Sequence, residues 1–146
     1  MVYSIKIIII CFFLIINASV AKSDYFTQGK NFFDKKEFEK SKIFFERDIV
    51  FNPRSENSYL YLAKIFQEKE NDNEEEINLN NVLLINPNND EAIYMLILLK
   101  IRQSDYEKSK ELIEKFEIVC QSFCSKRSEL KAIFEKLIPE DEKNKN

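Results

Sequence analysis

Residues 22–55 read KSDYFTQGKNFFDKKEFEKSKIFFERDIVFNPRS, and this stretch decides the fold because its layout returns twice further along the chain. Asn52-Pro53 returns 34 residues later as Asn86-Pro87, and Phe38–Lys42 (FEKSK) returns after two such periods as Tyr106–Lys110 (YEKSK). A fixed period of this size is typical of a solenoid, in which each repeat is one supersecondary unit stacked on the next. The sequence therefore predicts three repeats, at residues 22–55, 56–89 and 90–123.

The first repeat predicts two helices joined by a short turn. Apolar residues at helical spacing predict a first helix, helix A, from about Asp24 to Asp34, followed by a turn at Lys35–Glu37. A second helix, helix B, ends at Asn52-Pro53 because proline disfavours helical backbone in the residue before it. Gly29 is the only glycine of the chain, and glycine inside a helix costs about 1 kcal/mol relative to alanine. We therefore expect helix B to approach helix A closely at Gly29.

The second repeat predicts the same pair of helices with an acidic turn between them. Helix A is built by Tyr59–Phe66 and helix B by Ile77–Leu83, and Asn86-Pro87 ends the pair. Between the helices, Glu68–Glu76 is rich in acidic and asparagine residues. We expect this segment to be a solvated turn and the loosest joint of the stack. It lacks the alternating ligands and the central glycine of a calcium loop.

The third repeat and the segment after it predict the end of the stack. Asp90 is a good N-cap residue for helix A, which Ala92–Ile101 makes almost continuously apolar, and a helix B follows from Tyr106 to near Cys120. Residues 125–138 predict an amphipathic helix that covers the last apolar face, as the terminal element of a solenoid must. The charged residues 140–146 predict a disordered tail.

The first 21 residues, MVYSIKIIIICFFLIINASVA, have the features of a secretory signal peptide. Lys6 precedes an apolar run, Ile7–Ile16, and small residues lead to a predicted cleavage after Ala21. The alternative is an uncleaved anchor that faces the periplasm, although the run is shorter than the roughly 20 residues that a spanning helix needs. We therefore expect a periplasmic or secreted protein, whose only contact with a membrane would be this segment if it is retained.

Charge and composition argue against several classes of function. The net charge is −3 and the chain contains no histidine. We therefore expect no nucleic-acid binding, and the commonest general base and metal ligand is missing. The sequence contains no nucleophile–base set and no glycine-rich phosphate loop. These patterns predict a protein that is not an enzyme and that needs no cofactor and no metal.

Two cysteines remain after the predicted cleavage. An even cysteine count in an exported chain predicts a disulfide between Cys120 and Cys124. Two Cβ atoms four residues apart on a regular helix are poorly placed for this bond, so a bridge requires a turn there. The bridge is either structural, holding the hinge before the last helix, or a thiol–disulfide redox pair. No thioredoxin-like unit surrounds it, and two thiols without histidine make a poor zinc site.

At these residues the chain resembles the tetratricopeptide repeat (TPR) family, over about Asp24–Val119. The residues that carry the resemblance are Tyr25, Gly29, Phe32, Phe38, Ser41, Phe45 and Pro53, then Tyr59, Leu62, Ala63, Phe66, Leu79, Val82 and Pro87, then Leu96, Tyr106, Ser109, Ile113 and Phe116. The chain departs from the family pattern at Asp72, Glu75, Ile93, Ile97 and Lys100, and it lacks a third closing proline. The resemblance implies an all-α, right-handed helical solenoid of three helix-turn-helix repeats with a C-terminal capping helix.

The resemblance also implies where a partner would bind, because such solenoids use the concave wall formed by their A helices. The implied residues are Phe26, Lys30, Phe33, Leu60, Lys64, Gln67, Tyr94, Leu98 and Arg102, with Ile101 beside them. Cations among aromatic and aliphatic side chains suit a peptide with apolar anchors and some acidic character. The implied function is a non-enzymatic scaffold of the cell envelope that binds a protein or peptide partner.

Three alternatives stay open at the level of sequence. In the first, the basic residues of the wall are solvated, and Tyr94 and Leu98 pack under the last helix instead of contacting a partner. In the second, the chain is a thiol–disulfide protein that uses Cys120 and Cys124. In the third, the chain is a structural module whose copies associate through the apolar third repeat.

Overall fold

The structure is a computed structural model that describes residues 24–137. Within this range the chain is all-α, without strands, which confirms the all-α part of the predicted fold class. Its helices are α1 (Tyr25–Asp34), α2 (Phe38–Phe51), α3 (Glu56–Glu68), α4 (Asp72–Ile85), α5 (Asp90–Arg102), α6 (Tyr106–Val119), a 3₁₀ turn (Cys124–Lys126) and α7 (Arg127–Leu137). The predicted signal peptide, its alternative as an anchor, and the predicted tail lie outside the described residues.

The helices repeat with the period that the sequence predicts. The second helices of the three pairs begin at Phe38, Asp72 and Tyr106 and end at Phe51, Ile85 and Val119. The first helices end at Asp34, Glu68 and Arg102. Each series advances by 34 residues at every step, so the described chain is a helical repeat of like pairs. None of the helices in residues 24–137 has the length and apolar character that crossing a membrane requires.

The turns inside the pairs share one backbone conformation. Their middle residues, Lys36, Glu70 and Ser104, have φ of 60°, 53° and 60°, in the left-handed region. In each turn the next N–H donates to a carbonyl five residues back, as in Asn71 to Phe66 at 2.9 Å, which is the bond pattern of a Schellman end. The acidic turn of the second repeat therefore has the same length and backbone as the others, and nothing in its backbone indicates a looser joint.

Several helices of the described chain begin at a polar side chain that accepts a free N–H group of the first turn, whereas Glu37 and Ser55, before α2 and α3, make no such bond. Asn71 and Asp105 cap the second helices of repeats two and three in this way. Asn89, and not the predicted Asp90, caps α5, since its side-chain oxygen accepts the N–H of Ala92 at 2.7 Å. Asp90 is instead the first residue of the helix, and its carboxylate is free to bind elsewhere.

The first pair of helices is in close contact at Gly29, as its lone glycine predicts. A Cβ atom built on Gly29 would lie 2.7 Å from Cε1 of Phe45, which is fully buried in α2. The Oγ of Ser41 donates a hydrogen bond to the Gly29 carbonyl oxygen at 2.8 Å. Only a residue without a side chain leaves room for this ring, so the sequence at 29 fixes the distance between α1 and α2.

The last helix covers the end of the hydrophobic core. Its apolar stripe begins at Leu130, which is 1% exposed, and continues through the half-buried Ile133 and Phe134, which pack on the third repeat. The helix predicted over 125–138 is a 3₁₀ turn followed by α7, and Leu137 at its end is 50% exposed. Ile138 and Pro139 lie outside the described residues.

Candidate functional site: the helix-A face

The predicted partner-binding residues lie on α1, α3 and α5, the first helices of the three pairs, and we call this surface the helix-A face. Phe26 and Phe33 are half-buried and pack against Tyr61 of the next repeat with ring centroids 5.7 and 4.9 Å apart, both edge to face. Tyr61 also stacks on Phe45, at 5.1 Å. This aromatic cluster joins the first two repeats and leaves part of each of its outer rings at the surface.

Tyr61 is a member of the face that sequence reasoning missed. The Nζ of Lys64 lies 4.8 Å from the centre of its ring, a distance at which a cation is attracted by the π-electrons. Tyr61 sits three residues before Lys64, and residues at this spacing share one side of a helix. An aromatic residue one turn before the repeated lysine position was therefore the signal available in the sequence.

Two of the predicted aliphatic contacts are not available to a partner. Leu60 is 5% exposed and Ile101 is 7% exposed, and both belong to the main hydrophobic core. Leu98 is half-buried against the same core. Leu60 therefore does not line the face as predicted, because its side chain packs in the core between α3 and its neighbours and has almost no exposed surface.

The three predicted cations of the face are each held in an ion pair. Lys30 lies 2.8 Å from Asp34 on its own helix, and this hydrogen bond raises the pKa of Lys30. Lys64 lies 2.7 Å from Glu91 of the next repeat. Arg102 binds two carboxylates of the second repeat, as described below. The face therefore presents compensated charge, which weakens the expected attraction for an acidic peptide.

Arg102 is the centre of an acidic cluster where the second and third repeats meet. Its Nη2 lies 2.8 Å from Oδ1 of Asp72 and 2.6 Å from Oε2 of Glu75. Glu75 has no exposed surface, its other oxygen has no hydrogen-bond partner among the described residues, and burial raises its pKa. The prediction that Glu68–Glu76 is a solvated turn is wrong from Asp72 onward, because α4 already begins there. It is also wrong for the side chain of Glu75, which is buried against Arg102.

An open groove lies beside this cluster. It has a volume of about 530 Å³, and it is lined by Gln67, Glu70, Asp72 and Arg102. Gln67 and Arg102 are predicted site residues, and the structure brings them together although they are a full repeat apart in sequence. The groove is at the end of the helix-A face where the first helices turn into the second ones. A polar partner group could enter it and reach both an amide and a guanidinium.

Tyr94 lies under the last helix of the chain. Its Oη donates a hydrogen bond to Oε1 of Glu129 at 3.0 Å, and its ring is 5.7 Å from that of Phe123. Burial, and then this hydrogen bond, raise the pKa of the Tyr94 phenol. These contacts match the alternative in which Tyr94 packs under the cap, so the third repeat offers less free surface than the first two.

Asp90 holds the loop that enters the last helix. Its Oδ2 accepts the backbone N–H groups of Gln121, Ser122 and Phe123 at 2.7, 2.6 and 2.8 Å. Burial alone would raise the pKa of Asp90, but these three bonds outweigh it and lower the pKa. Glu56 occupies the same position one period earlier. Its carboxylate instead accepts hydrogen bonds from the side-chain amides of Asn86 and Asn89, in the loop that follows α4. An acid at the first position of helix A thus binds the following loop in both repeats.

The sulfur atoms of Cys120 and Cys124 are at disulfide-bonding distance, with their Cα atoms 5.2 Å apart. Helix α6 ends at Val119, and the chain between the cysteines turns before the 3₁₀ helix. The bridge thus closes the same loop whose N–H groups bind Asp90. Elsewhere in residues 24–137, no cluster of three or more histidine, cysteine or carboxylate side chains is arranged to hold a metal.

Comparison with known proteins adds no assignment to this geometry. No protein-family model matches the chain, and no curated protein matches it.

Proposed function

We propose that the chain is a TPR-type right-handed solenoid that binds a protein or peptide partner on its helix-A face and catalyses no reaction. The observation that carries the proposal is the period: three like helix pairs, each with the same left-handed turn residue, advance by 34 residues. Stacks of such pairs curve and present the first helices on a concave wall. The resemblance in sequence has the same period and supports the same assignment.

The partner would be recognised mainly by the first two repeats. Phe26, Phe33 and Tyr61 offer half-buried rings, and Lys64 and Gln67 lie beside them on α3. Aromatic residues are the commonest energetic centres of protein interfaces, since they bury large areas at a small entropic cost. We therefore propose a partner segment with apolar anchors and uncharged polar groups. Acidic partner groups would have to compete with Asp34, Glu91 and Asp72 for the cations.

Photocrosslinking from the face would test this proposal in the producing cells. A photoreactive residue at Gln67 should form an adduct with the partner, whereas one at Lys110, which is exposed on α6, should not. Lys64→Glu should reduce the Gln67 adduct, since it places a carboxylate beside Tyr61 and Glu91, and Lys110→Glu is the matched control. Equal adducts from both positions, or an adduct that is insensitive to Lys64→Glu, would contradict binding at this face.

Arg102→Glu is a poor probe of binding, because it would leave the buried Glu75 without its cation and destabilise the fold. Loss of capture in that variant would not separate a missing contact from a damaged scaffold. Lys64 avoids this problem because its partner Glu91 keeps 28% of its side chain exposed and is therefore not left as a buried charge. The helical circular dichroism of Lys64→Glu should equal that of the unmodified chain.

We also propose that the chain acts outside the cytoplasm, after cleavage of its leader behind Ala21. The support is the pattern of residues 1–21 together with the cysteine pair, which oxidises most readily in an exported protein. The mass of the chain purified from its producing cells tests cleavage. A mass that starts at Lys22 is expected, and a full-length mass in the membrane fraction would favour the anchor.

A further inference from the structure

The outer end of the first repeat carries four aromatic rings that the hydrophobic core does not use. They form two stacked pairs between α1 and α2: Tyr25 with Phe51, whose ring centroids are 5.6 Å apart, and Phe32 with Phe44, at 5.2 Å. None of the four belongs to either hydrophobic cluster of residues 24–137. Three of the rings are half-buried, and Phe51 is 74% exposed. We call these four residues the aromatic end.

The aromatic end is uncovered because no repeat precedes it in the described chain. At the position of Phe32, the second repeat has Phe66, which is 8% exposed and lies in one cluster with residues of the first repeat. At the position of Phe44, the third repeat has Leu112, which is 5% exposed and lies in one cluster with residues of the second. The terminal face of a solenoid is normally polar, so an aromatic one indicates an interaction surface.

Two cations lie over rings of the aromatic end. The Nζ of Lys40 is 5.5 Å from the centre of the Phe32 ring, and Cζ of Arg47 is 5.8 Å from the centre of the Phe44 ring. Both distances are within the range in which a cation is attracted by the π-electrons. Lys40 and Arg47 are exposed. The surface therefore combines apolar area with positive charge directly above it.

Two acids of α2 that could neutralise this charge face the second repeat instead. Glu39 forms an ion pair with Lys69, at the end of α3. The Oδ2 of Asp48 accepts a hydrogen bond from Oγ of Ser58 on α3 at 2.6 Å. Both carboxylates therefore lie on the side of α2 that packs on the next repeat, away from the aromatic end.

The charges that remain for the outer side of the first repeat are mostly positive. Lys30 with Asp34 and Lys42 with Glu46 form neutral pairs at 2.8 and 2.6 Å. Residues 24–55 then retain five cations and two carboxylates, which are Lys35, Lys36, Lys40, Arg47 and Arg54 against Asp24 and Glu37. Residues 56–89, in contrast, contain seven carboxylates and two lysines. A negatively charged surface would therefore be attracted to the outer end of the first repeat and repelled by the second.

The predicted leader joins the fold at the aromatic end. Asp24, the N-cap of α1, is next to Tyr25, and only residues 17–23 separate it from the apolar run Ile7–Ile16. Seven residues span at most about 25 Å. An uncleaved leader inserted in a membrane would therefore hold the aromatic end within this distance of the lipid headgroups.

We infer that the aromatic end binds the surface of an anionic lipid membrane. Aromatic rings are favoured at the level of the headgroups, where one side is apolar and the other wet, and neighbouring cations attract anionic headgroups. Rings with cations above them match this layering. The acidic second repeat would point away from the lipid, so the stack would stand on its first repeat. This contact is additional to the predicted leader and persists after its cleavage.

A membrane at this end would leave the helix-A face open. Phe26 and Phe33 contact Tyr61 of the second repeat, on the opposite side of α1 from the aromatic end. The membrane contact therefore involves other residues than the proposed partner site and does not rest on the proposed function.

Vesicle flotation tests the inference on the chain that begins at Lys22, which contains all the described residues. This chain should float with vesicles of phosphatidylglycerol and phosphatidylcholine but not with phosphatidylcholine alone, and sodium chloride should weaken its binding. Phe51→Ser should weaken binding about tenfold, since an exposed ring that would enter the lipid is lost. Leu84→Ser is the matched control, because Leu84 is 82% exposed on α4 and outside the aromatic end.

A charge reversal tests the electrostatic part of the contact. Arg47→Glu should weaken flotation about tenfold, whereas Lys110→Glu, which changes an exposed cation of α6, should have little effect. The helical circular dichroism of all four variants should equal that of the unmodified chain. No flotation with phosphatidylglycerol, equal binding to phosphatidylcholine alone, or equal losses in Phe51→Ser and Leu84→Ser would overturn the inference. A chain that does not float but self-associates through Phe51 in sedimentation equilibrium would overturn it as well.

Discussion

The Oε2 of Glu75 lies 2.6 Å from Nη2 of Arg102, and this ion pair joins the second repeat to the third through a carboxylate with no exposed surface. The equivalent positions in the other repeats are Ser41 and Ser109, which are also fully buried. A small polar residue fits this position between the helices without a partner in another repeat. Glutamate does not, and Arg102 compensates for it from the neighbouring repeat.

Arg102→Met should therefore destabilise the fold although the arginine side chain is 43% exposed. We expect a loss of about 2–3 kcal/mol in the free energy of unfolding, less than for a fully buried pair because solvent reaches the guanidinium. Urea denaturation measures this loss. Lys30→Met is the control, since both side chains of its ion pair with Asp34 are exposed and solvent screens their attraction, so this change should lower the stability much less.

The cause of the loss can be isolated with a double-mutant cycle. In a Glu75→Gln background, Arg102→Met no longer strands a buried charge and should cost clearly less than in the unmodified chain. Equal costs in both backgrounds would mean that Arg102 acts through Asp72 or through packing of its aliphatic part instead.

Asp90 makes the stability of the protein depend on acid. Its pKa is lowered in the folded chain, so the stabilisation is present above the unfolded pKa and is lost as the pH falls through the folded pKa. Asp90→Asn should cost about 1–2 kcal/mol at pH 7, discounted because part of the carboxylate is reached by solvent. The difference between the two chains should shrink in urea denaturation at pH 3.

Glu75 has the opposite pH dependence. Its contribution is the same in both chains and cancels when they are compared at the same pH. Burial raises its pKa, so its contribution is present below the unfolded pKa and decreases as the pH rises through the folded pKa. The quantity to compare is therefore the difference between Asp90→Asn and the unmodified chain at each pH. A difference that is the same at pH 7 and pH 3 would show that Asp90 does not act through its charge.

The helices of this fold could be predicted from sequence because their limits are set by local chemistry. Asn52-Pro53 and Asn86-Pro87 end helices because each proline restricts the backbone of the residue before it. Gly29 is costly inside a helix, so it indicates a close approach of another helix even when the residue that approaches is not known. The 34-residue period then predicts where the second helix of the third repeat ends, although the sequence has no proline there.

The side chains of the candidate site could be predicted less well because their surroundings come from other repeats. Leu60 looks like a surface residue on its own helix, and only the packed stack shows that it is buried. Glu75 looks solvated in an acidic segment, and its burial depends on Arg102, which is 27 residues away. Asp90 looks like a cap, yet its carboxylate binds a loop beyond the next helix.

Gly29→Ala should destabilise the protein although alanine is the better helix former. The added methyl group would meet Phe45 at 2.7 Å, and relieving such a clash in a packed core costs about 1–3 kcal/mol, more than the roughly 1 kcal/mol gained in helix propensity. Thermal unfolding followed by circular dichroism measures the change.

The second repeat suggests the compensating change. Ala63 and Leu79 are its buried residues at the positions of Gly29 and Phe45. Gly29→Ala combined with Phe45→Leu should recover stability relative to Gly29→Ala alone, because leucine leaves room for the methyl group. A double variant that is less stable than Gly29→Ala would contradict the steric explanation.

The disulfide should be structural, because its loop is already held from inside by Asp90 and carries the chain into α7. A bridge that closes so short a loop should contribute about 2 kcal/mol in the chain-entropy estimate. Cys120→Ser with Cys124→Ser should therefore lower the free energy of unfolding by about this amount and loosen the contact between Tyr94 and α7, which tyrosine fluorescence would detect.

Equilibration with glutathione buffers separates a structural role of the disulfide from a redox role: a structural bridge should stay oxidised at potentials down to roughly −300 mV. Reduction near −200 mV without loss of helical structure would instead favour a redox role for the pair.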